Sequence, residues 1–250
     1  MENLENVESS QGAEKSKYIP TFERSFGNGW ETMGKYFLLL LLVVIVTGII
    51  QAPANLVNIK IDPSDFYHDW DFLNHFRYSF AALGVFAVFL SIIGLAYLLL
   101  IVPVFKFGAN LMFVHAARDI RPEFDLLVKG FKDNYLHIVL ANILTFSLVM
   151  MGFIALIIPG IIILCRLSFV SYLVMDKKLD PIIAVEESWK LTRGHGWTIF
   201  AIGLVSFFIL ILGFCLCFVG VFPAIMWVKS SFASLYQAVL VEKIPVNNVG

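Results

Sequence analysis

A chain of 250 residues that is 59% hydrophobic, only 15% charged and of mean hydropathy +0.82 has too little polar surface to coat a water-soluble globule of its size. A net charge of -1 gives no case for nucleic acid as a partner. The composition places the chain in lipid, as an all-α, polytopic integral membrane protein.

Residues 1–29 read as a cytoplasmic tail carrying a short interfacial helix. Glu2, Glu5, Glu8, Ser9 and Ser10 leave no short apolar core, so no removable signal peptide is expected and the first span stays. A helix needs about 20 apolar residues to cross the hydrocarbon core. Such lengths occur at Gly34 to Ala52, Tyr78 to Phe105, Tyr135 to Leu156, Ile161 to Met175, Trp197 to Phe218 and Phe222 to Val241. The six spans divide into a first hairpin over 30–119 with a long outer loop at 53–77, a second over 120–176 and a third over 177–245, followed by a tail at 246–250.

Within the long loop, Asp62-Pro63 opens a helix on which Phe66, Trp70 and Leu73 share one face at the outer interface. The second span is expected to continue past Pro103 as a kinked helix to Ala117, because neighbours in a membrane re-satisfy the freed carbonyl. The fourth is short and crosses with help from its neighbours. Tight outer turns are read at Ile158-Pro159-Gly160 and Val219-Gly220-Val221. Between the fourth and fifth spans, Asp180-Pro181 opens an amphipathic helix in which Glu186 and Lys190 pair four apart, Trp189 can stack with Arg193, and Gly194 closes the last turn.

Orientation follows from the basic residues. With the N-terminus inside, Lys15, Lys17, Arg24, Lys35, Arg118, Arg121, Lys129, Lys132, Lys177, Lys178, Lys190, Arg193 and Lys243 are cytoplasmic, thirteen against Lys60 and Arg77 outside. This bias puts both termini in the cytoplasm. An internal repeat accompanies it on that side. Pro20 precedes Gly29-Trp30-Glu31, Pro122 precedes Gly130-Phe131-Lys132, and Pro181 precedes Ser188-Trp189-Lys190, each just before an odd-numbered span. The reading is three copies of one unit, a short interfacial helix followed by a helical hairpin.

Chemistry is sparse. Arg166 lies seven residues past Pro159 and Lys229 six past Pro223, each about 10 Å below an outer turn. No acidic residue falls inside a span in this reading, so a functional reading has Arg166 and Lys229, helped by Ser168, Ser230 and Ser231, bind a lipid phosphate or another anion. The alternative is that they bond helix-end carbonyls and Asn142 and fix packing. Asp65, His68, Asp71 and His75 in the outer loop are weak metal candidates without a recognised ligand spacing, so no metal is assigned. Cys165, Cys215 and Cys217 read as small apolar fillers. No cofactor is implied, and no cluster of serine, cysteine, histidine and carboxylate suggests an enzyme.

Leu156-Ile157-Ile158-Pro159-Gly160, then Arg166-Leu167-Ser168-Phe169, then Ala184 through Gly194 (Ala-Val-Glu-Glu-Ser-Trp-Lys-Leu-Thr-Arg-Gly) resemble the repeated signature of a group of uncharacterised six-span bacterial membrane proteins. These are similar to the membrane domain of some bacterial glycerophosphodiester phosphodiesterases. The resemblance is clearest from Asp125 to Tyr236. It implies a bacterial inner-membrane location and carries over no catalytic residue. The expected function is a non-enzymatic membrane module that binds membrane lipid, a membrane-protein partner or a second copy of itself. The alternative is a transporter or channel for a small anionic solute.

Overall fold

The computed structural model describes residues 19–56, 88–215 and 220–243, which form helices and turns and no strand. The elements are α1 (Phe22–Lys35), α2 (Phe37–Leu56), α3 (Val102–Ala117), α4 (Asp125–Asp133), α5 (Tyr135–Ala155), α6 (Ile157–Arg166), α7 (Val170–Asp176), α8 (Pro181–Leu191), α9 (Gly196–Cys215) and α10 (Val221–Lys243). Five helical stretches are long and apolar enough to cross a membrane: Val88–Ala117, α5, Ile157–Asp176, α9 and α10. The pair α1 and α2, bent by 95° at Tyr36, makes a possible sixth.

On α1, Ser25, Phe26, Gly29, Thr32 and Met33 recur every three or four residues and are buried, while Glu23, Arg24, Trp30 and Glu31 are exposed. This buried stripe packs on α10, where Trp227 Nε1 donates to the Phe26 carbonyl (3.1 Å) and Gly29 meets Ser231. At the bend, Lys35 pairs with Asp119 (2.6 Å) and the Tyr36 hydroxyl donates to the Asp119 carbonyl. Tyr97 donates to the Ile50 carbonyl (2.7 Å), tying the far part of α2 to the helix that leads into α3.

The helix does run on past Pro103 to Ala117, with a turn at Ile101. Pro103 falls in the first turn of α3, where its missing N–H leaves no ladder bond unmade. The second hairpin turns earlier than its proline suggests. Leu156 alone is extended, and Ile157 already begins α6 with Pro159 in its first turn. Gly152 lets the two arms close up, since a Cβ there would stand 3.0 Å from the Gly160 Cα.

The fourth span is broken: α6 ends at Arg166, and turns over 167–169 lead into α7. A break at this depth frees carbonyls that lipid cannot satisfy. The Ser188 hydroxyl of α8 donates to the Arg166 carbonyl (2.7 Å), with Thr192 at 3.4 Å.

The polar connections gather at one end of the bundle, here called the basic end. His137 at the start of α5 pairs with Asp180 before α8 (2.8 Å), His195 before α9 with Glu242 on α10 (3.1 Å), and Lys178 with Asp133 (3.9 Å). Asp180 therefore spends its carboxylate on His137 and makes no side-chain cap on α8. The open carbonyls of Lys190, Leu191 and Arg193 at the other end of α8 all accept from Lys243 (2.7 to 2.9 Å). The core lies along α3, α7 and α10, where Met112, Phe113, Leu173, Met226, Leu235 and Tyr236 are fully buried, whereas α5 and α9 turn Leu136, Leu140, Phe207, Phe208 and Leu212 outward.

Candidate functional site

Helices α3 and α10 run side by side in the same direction. Asn110 meets Lys229 and, eight residues on along both helices, Arg118 meets Gln237. Lys106 and Asn110 are one turn apart on α3 and share a face. The Asn110 amide donates to Ser171 Oγ on α7 (3.0 Å), while its carbonyl oxygen accepts a long bond from Lys229 Nζ (3.5 Å). The Lys229 ammonium stands 5.6 Å from the Phe113 ring centroid, and Lys106 is its charged neighbour.

A cavity of about 720 Å³ opens beside this pair among α3, α5, α6, α7 and α9. Its polar wall is Lys106, Asn110, Asn142, Thr145, Ser168 and Ser171, and the rest is largely apolar. Asn142 and Thr145 enter it from one face of α5, three residues apart, and Thr145 Oγ1 is buried without a partner. No carboxylate lines the cavity, and none pairs with Lys106, Arg166 or Lys229 among the described residues. A wall of ammonium, amide and hydroxyl groups without acids is complementary to an anionic, oxygen-rich group.

Arg166 faces elsewhere. Its guanidinium lies over the Trp189 ring (5.6 Å to the centroid), the place that sequence spacing offered to Arg193, and Nη1 is buried without a partner. It lines a second, mostly apolar groove of about 540 Å³ with Ile158, Ile161, Ile162, Cys165, Trp197 and Phe200. The two cavities share the walls Ile161, Cys165 and Phe200.

The five residues singled out in the sequence are thus divided. Ser168 lines the large cavity, its hydroxyl donating to the Cys165 carbonyl (2.9 Å). Lys229 reaches the same cavity wall only through Asn110, whereas Lys106, which sequence position marks as no more than an interfacial anchor, lines it directly. Ser231 donates to Trp227 O (2.8 Å) and is pressed against Gly29, whereas Ser230 Oγ is buried without a partner. Asp65, His68, Asp71 and His75 lie outside the described residues, among which no other group of three potential ligands forms.

Lys106, Asn110 and Ser171 are the residues that sequence reading missed. The available signal was the recurrence Lys106-Phe107-Gly108, Arg166-Leu167-Ser168 and Lys229-Ser230-Ser231, each a cation two residues before a small residue. A second missed feature is a charge network at the basic end. Arg118 grips Asp176 with both terminal nitrogens (2.6 and 2.7 Å) and donates from Nε to Gln237 (2.8 Å), while Tyr236 donates to Asp176 (3.0 Å). Comparison with known proteins adds no relative to this picture: no family model, no curated protein and no solved structure matches the chain.

Proposed function

We propose that this chain is a non-enzymatic integral membrane module that holds the anionic headgroup of a membrane lipid in the cavity beside Lys106 and Asn110. The observation that carries the reading is a cavity with the Lys106 ammonium, amides and hydroxyls on one wall, the Lys229 ammonium behind Asn110, apolar side chains on the other walls, and no acid among the described lining residues. Phosphate oxygens would accept from Lys106 and the Asn and Ser groups, and acyl chains would lie against Val149, Leu164, Leu204 and Phe207.

In the same reading the chain is three repeats in the bacterial inner membrane, with the basic end in the cytoplasm. Thirteen basic residues on one side against two support the orientation. Two sets of contacts support the repeat. The aromatic of each short helix rests on the returning arm of another unit, the preceding unit for Phe131 on Phe105 (5.2 Å) and Trp189 on Arg166, and the last unit for Trp30 on Trp227 (4.9 Å). The end of each short helix is also tied at or just beyond the end of its own unit, Lys35 to Asp119, Asp133 to Lys178 two residues past it, and the Arg193 carbonyl to Lys243. Asp119 and Lys178 share a left-handed backbone, with φ of 60° and 52°. In that register Lys106, Arg166 and Lys229 fall within one residue of a common place, 13, 12 and 14 residues before Asp119, Lys178 and Lys243.

Native mass spectrometry of the purified protein tests the headgroup site. Wild type should retain an anionic phospholipid, and Lys106→Gln with Lys229→Gln should lower retention about tenfold, the loss of one to two charge-assisted bonds. Equal retention by the folded double variant would refute it. The polar cavity wall also suits a small anionic solute. Anion flux into proteoliposomes, abolished by Lys106→Gln, would replace lipid holding with transport.

A further inference from the structure

Nothing among the described residues answers the charge of Arg166. Nη1 is buried with no hydrogen-bond partner, no carboxylate pairs with the side chain, and Trp189 lies 5.6 Å beneath the guanidinium. Stacking on an indole restrains the planar fork without using its donors. An unpaired cationic N–H in apolar surroundings is costly, so the position suits an acceptor from beyond the described residues.

The groove beside it limits what that acceptor can be. It is formed by α6 and the first turns of α9, and among the described residues that line it Arg166 alone is charged and none is Ser, Thr, Asn or Lys. Ile158 and Arg166 are eight residues apart on α6, so the apolar wall extends about 12 Å from the charge. A volume of about 540 Å³ falls in the range of small-molecule sites. A two-chain phospholipid brings ester and glycerol oxygens that would meet no amide or hydroxyl side chain here, in contrast to the wall around Asn110.

We infer that the groove binds a single-chain amphiphile ending in a carboxylate, the class of long-chain fatty acids. The carboxylate accepts from the Arg166 guanidinium where it lines the groove, and the chain lies along Ile158, Ile162, Trp197 and Phe200. This site does not depend on the lysine-lined cavity, and either can fail alone.

The test uses the full chain in nanodiscs, with tryptophan fluorescence quenched by a mid-chain dibrominated stearic acid, by the matching dibrominated stearyl alcohol, and by a dibrominated phosphatidylglycerol. The acid should quench saturably and about tenfold more tightly than the alcohol, and Trp197→Phe should remove most of the signal. Arg166→Gln should bring the acid to the level of the alcohol while leaving phospholipid retention at the other cavity unchanged. Gly196→Leu fills the groove from a position where a Cβ meets nothing within 4 Å, so it should fold and weaken acid and alcohol together. Equal binding of acid and alcohol, unchanged acid binding in folded Arg166→Gln, or displacement of the acid from Trp197 by the phospholipid would each overturn the inference. Should Arg166→Gln not fold, full acid binding by Gly196→Leu would overturn it instead.

Discussion

Asp176 accepts from three groups at once, both terminal nitrogens of Arg118 and the Tyr236 hydroxyl, and its side chain is only 7% exposed. Removing one partner of such a pair leaves the other charge without compensation, at a cost of about 3 to 5 kcal/mol when both are buried. Arg118 is 23% exposed, which lets water recover part of that and sets the expectation for Asp176→Ala at the lower end, about 3 kcal/mol. Tyr236→Phe removes one bond and leaves the bidentate pair intact, so about 1 kcal/mol is expected. Thermal unfolding in detergent should rank the two variants in that order. A reversed order would mean that the hydroxyl, and not the guanidinium, holds the carboxylate. The network joins the end of α3, the end of α7 and α10 at one point, so it locks three helices whose sequences are far apart.

The short helix α1, read from sequence as interfacial, is also a packing element of the bundle. The spacing of Pro20 before Gly29-Trp30-Glu31 predicts a short interfacial helix within residues 1–29, and the structure carries it on to Lys35. In the structure its buried face is pressed on α10, and Phe22, Phe26 and Trp30 build an aromatic cluster with Trp227. The contact is backbone to backbone. A Cβ on Gly29 would stand 2.4 Å from Ser231 Oγ and 2.7 Å from the Ser231 nitrogen, and a main-chain nitrogen cannot rotate away. Gly34, on the same helix, has nothing within 4 Å of its Cβ position. Gly34→Ala should therefore stabilise by up to about 1 kcal/mol through helix propensity. Gly29→Ala gains the same propensity but overpacks, at about 1 to 3 kcal/mol, and should be net destabilising. Opposite shifts of the thermal midpoint for these two alanines are the expected result; shifts of the same sign would mean that α1 leaves α10 in solution.

For the whole molecule, the ion pairs at the basic end tie together both ends of α8, the starts of α5 and α9, and the ends of α3, α7 and α10. In the orientation proposed above these junctions share one side of the bilayer. Reporter fusions carry the orientation proposed above. A periplasmic phosphatase joined near Lys60 should be active and one near Lys178 silent, and the reverse pattern would invert the bundle. The first hairpin is where this test is most informative, since α1 and α2 meet at 95° and count as one span only together.

Sequence alone determined that the chain is helical with five or six helices long and apolar enough to span a membrane, their approximate positions, and the passage of the second beyond Pro103. Each of these follows from length and hydropathy, quantities that the solvent reads one segment at a time. Which cations share a cavity was decided only in three dimensions. Arg166 and Lys229 have matching distances from their prolines, but the break at 167–169 turns one toward Trp189, and the pairing of α3 with α10 gives the other to Asn110 and Lys106. Side-chain partnership depends on the rotation of each helix about its axis and on breaks in that helix. Packing against neighbours fixes both, and hydropathy along the chain does not record them.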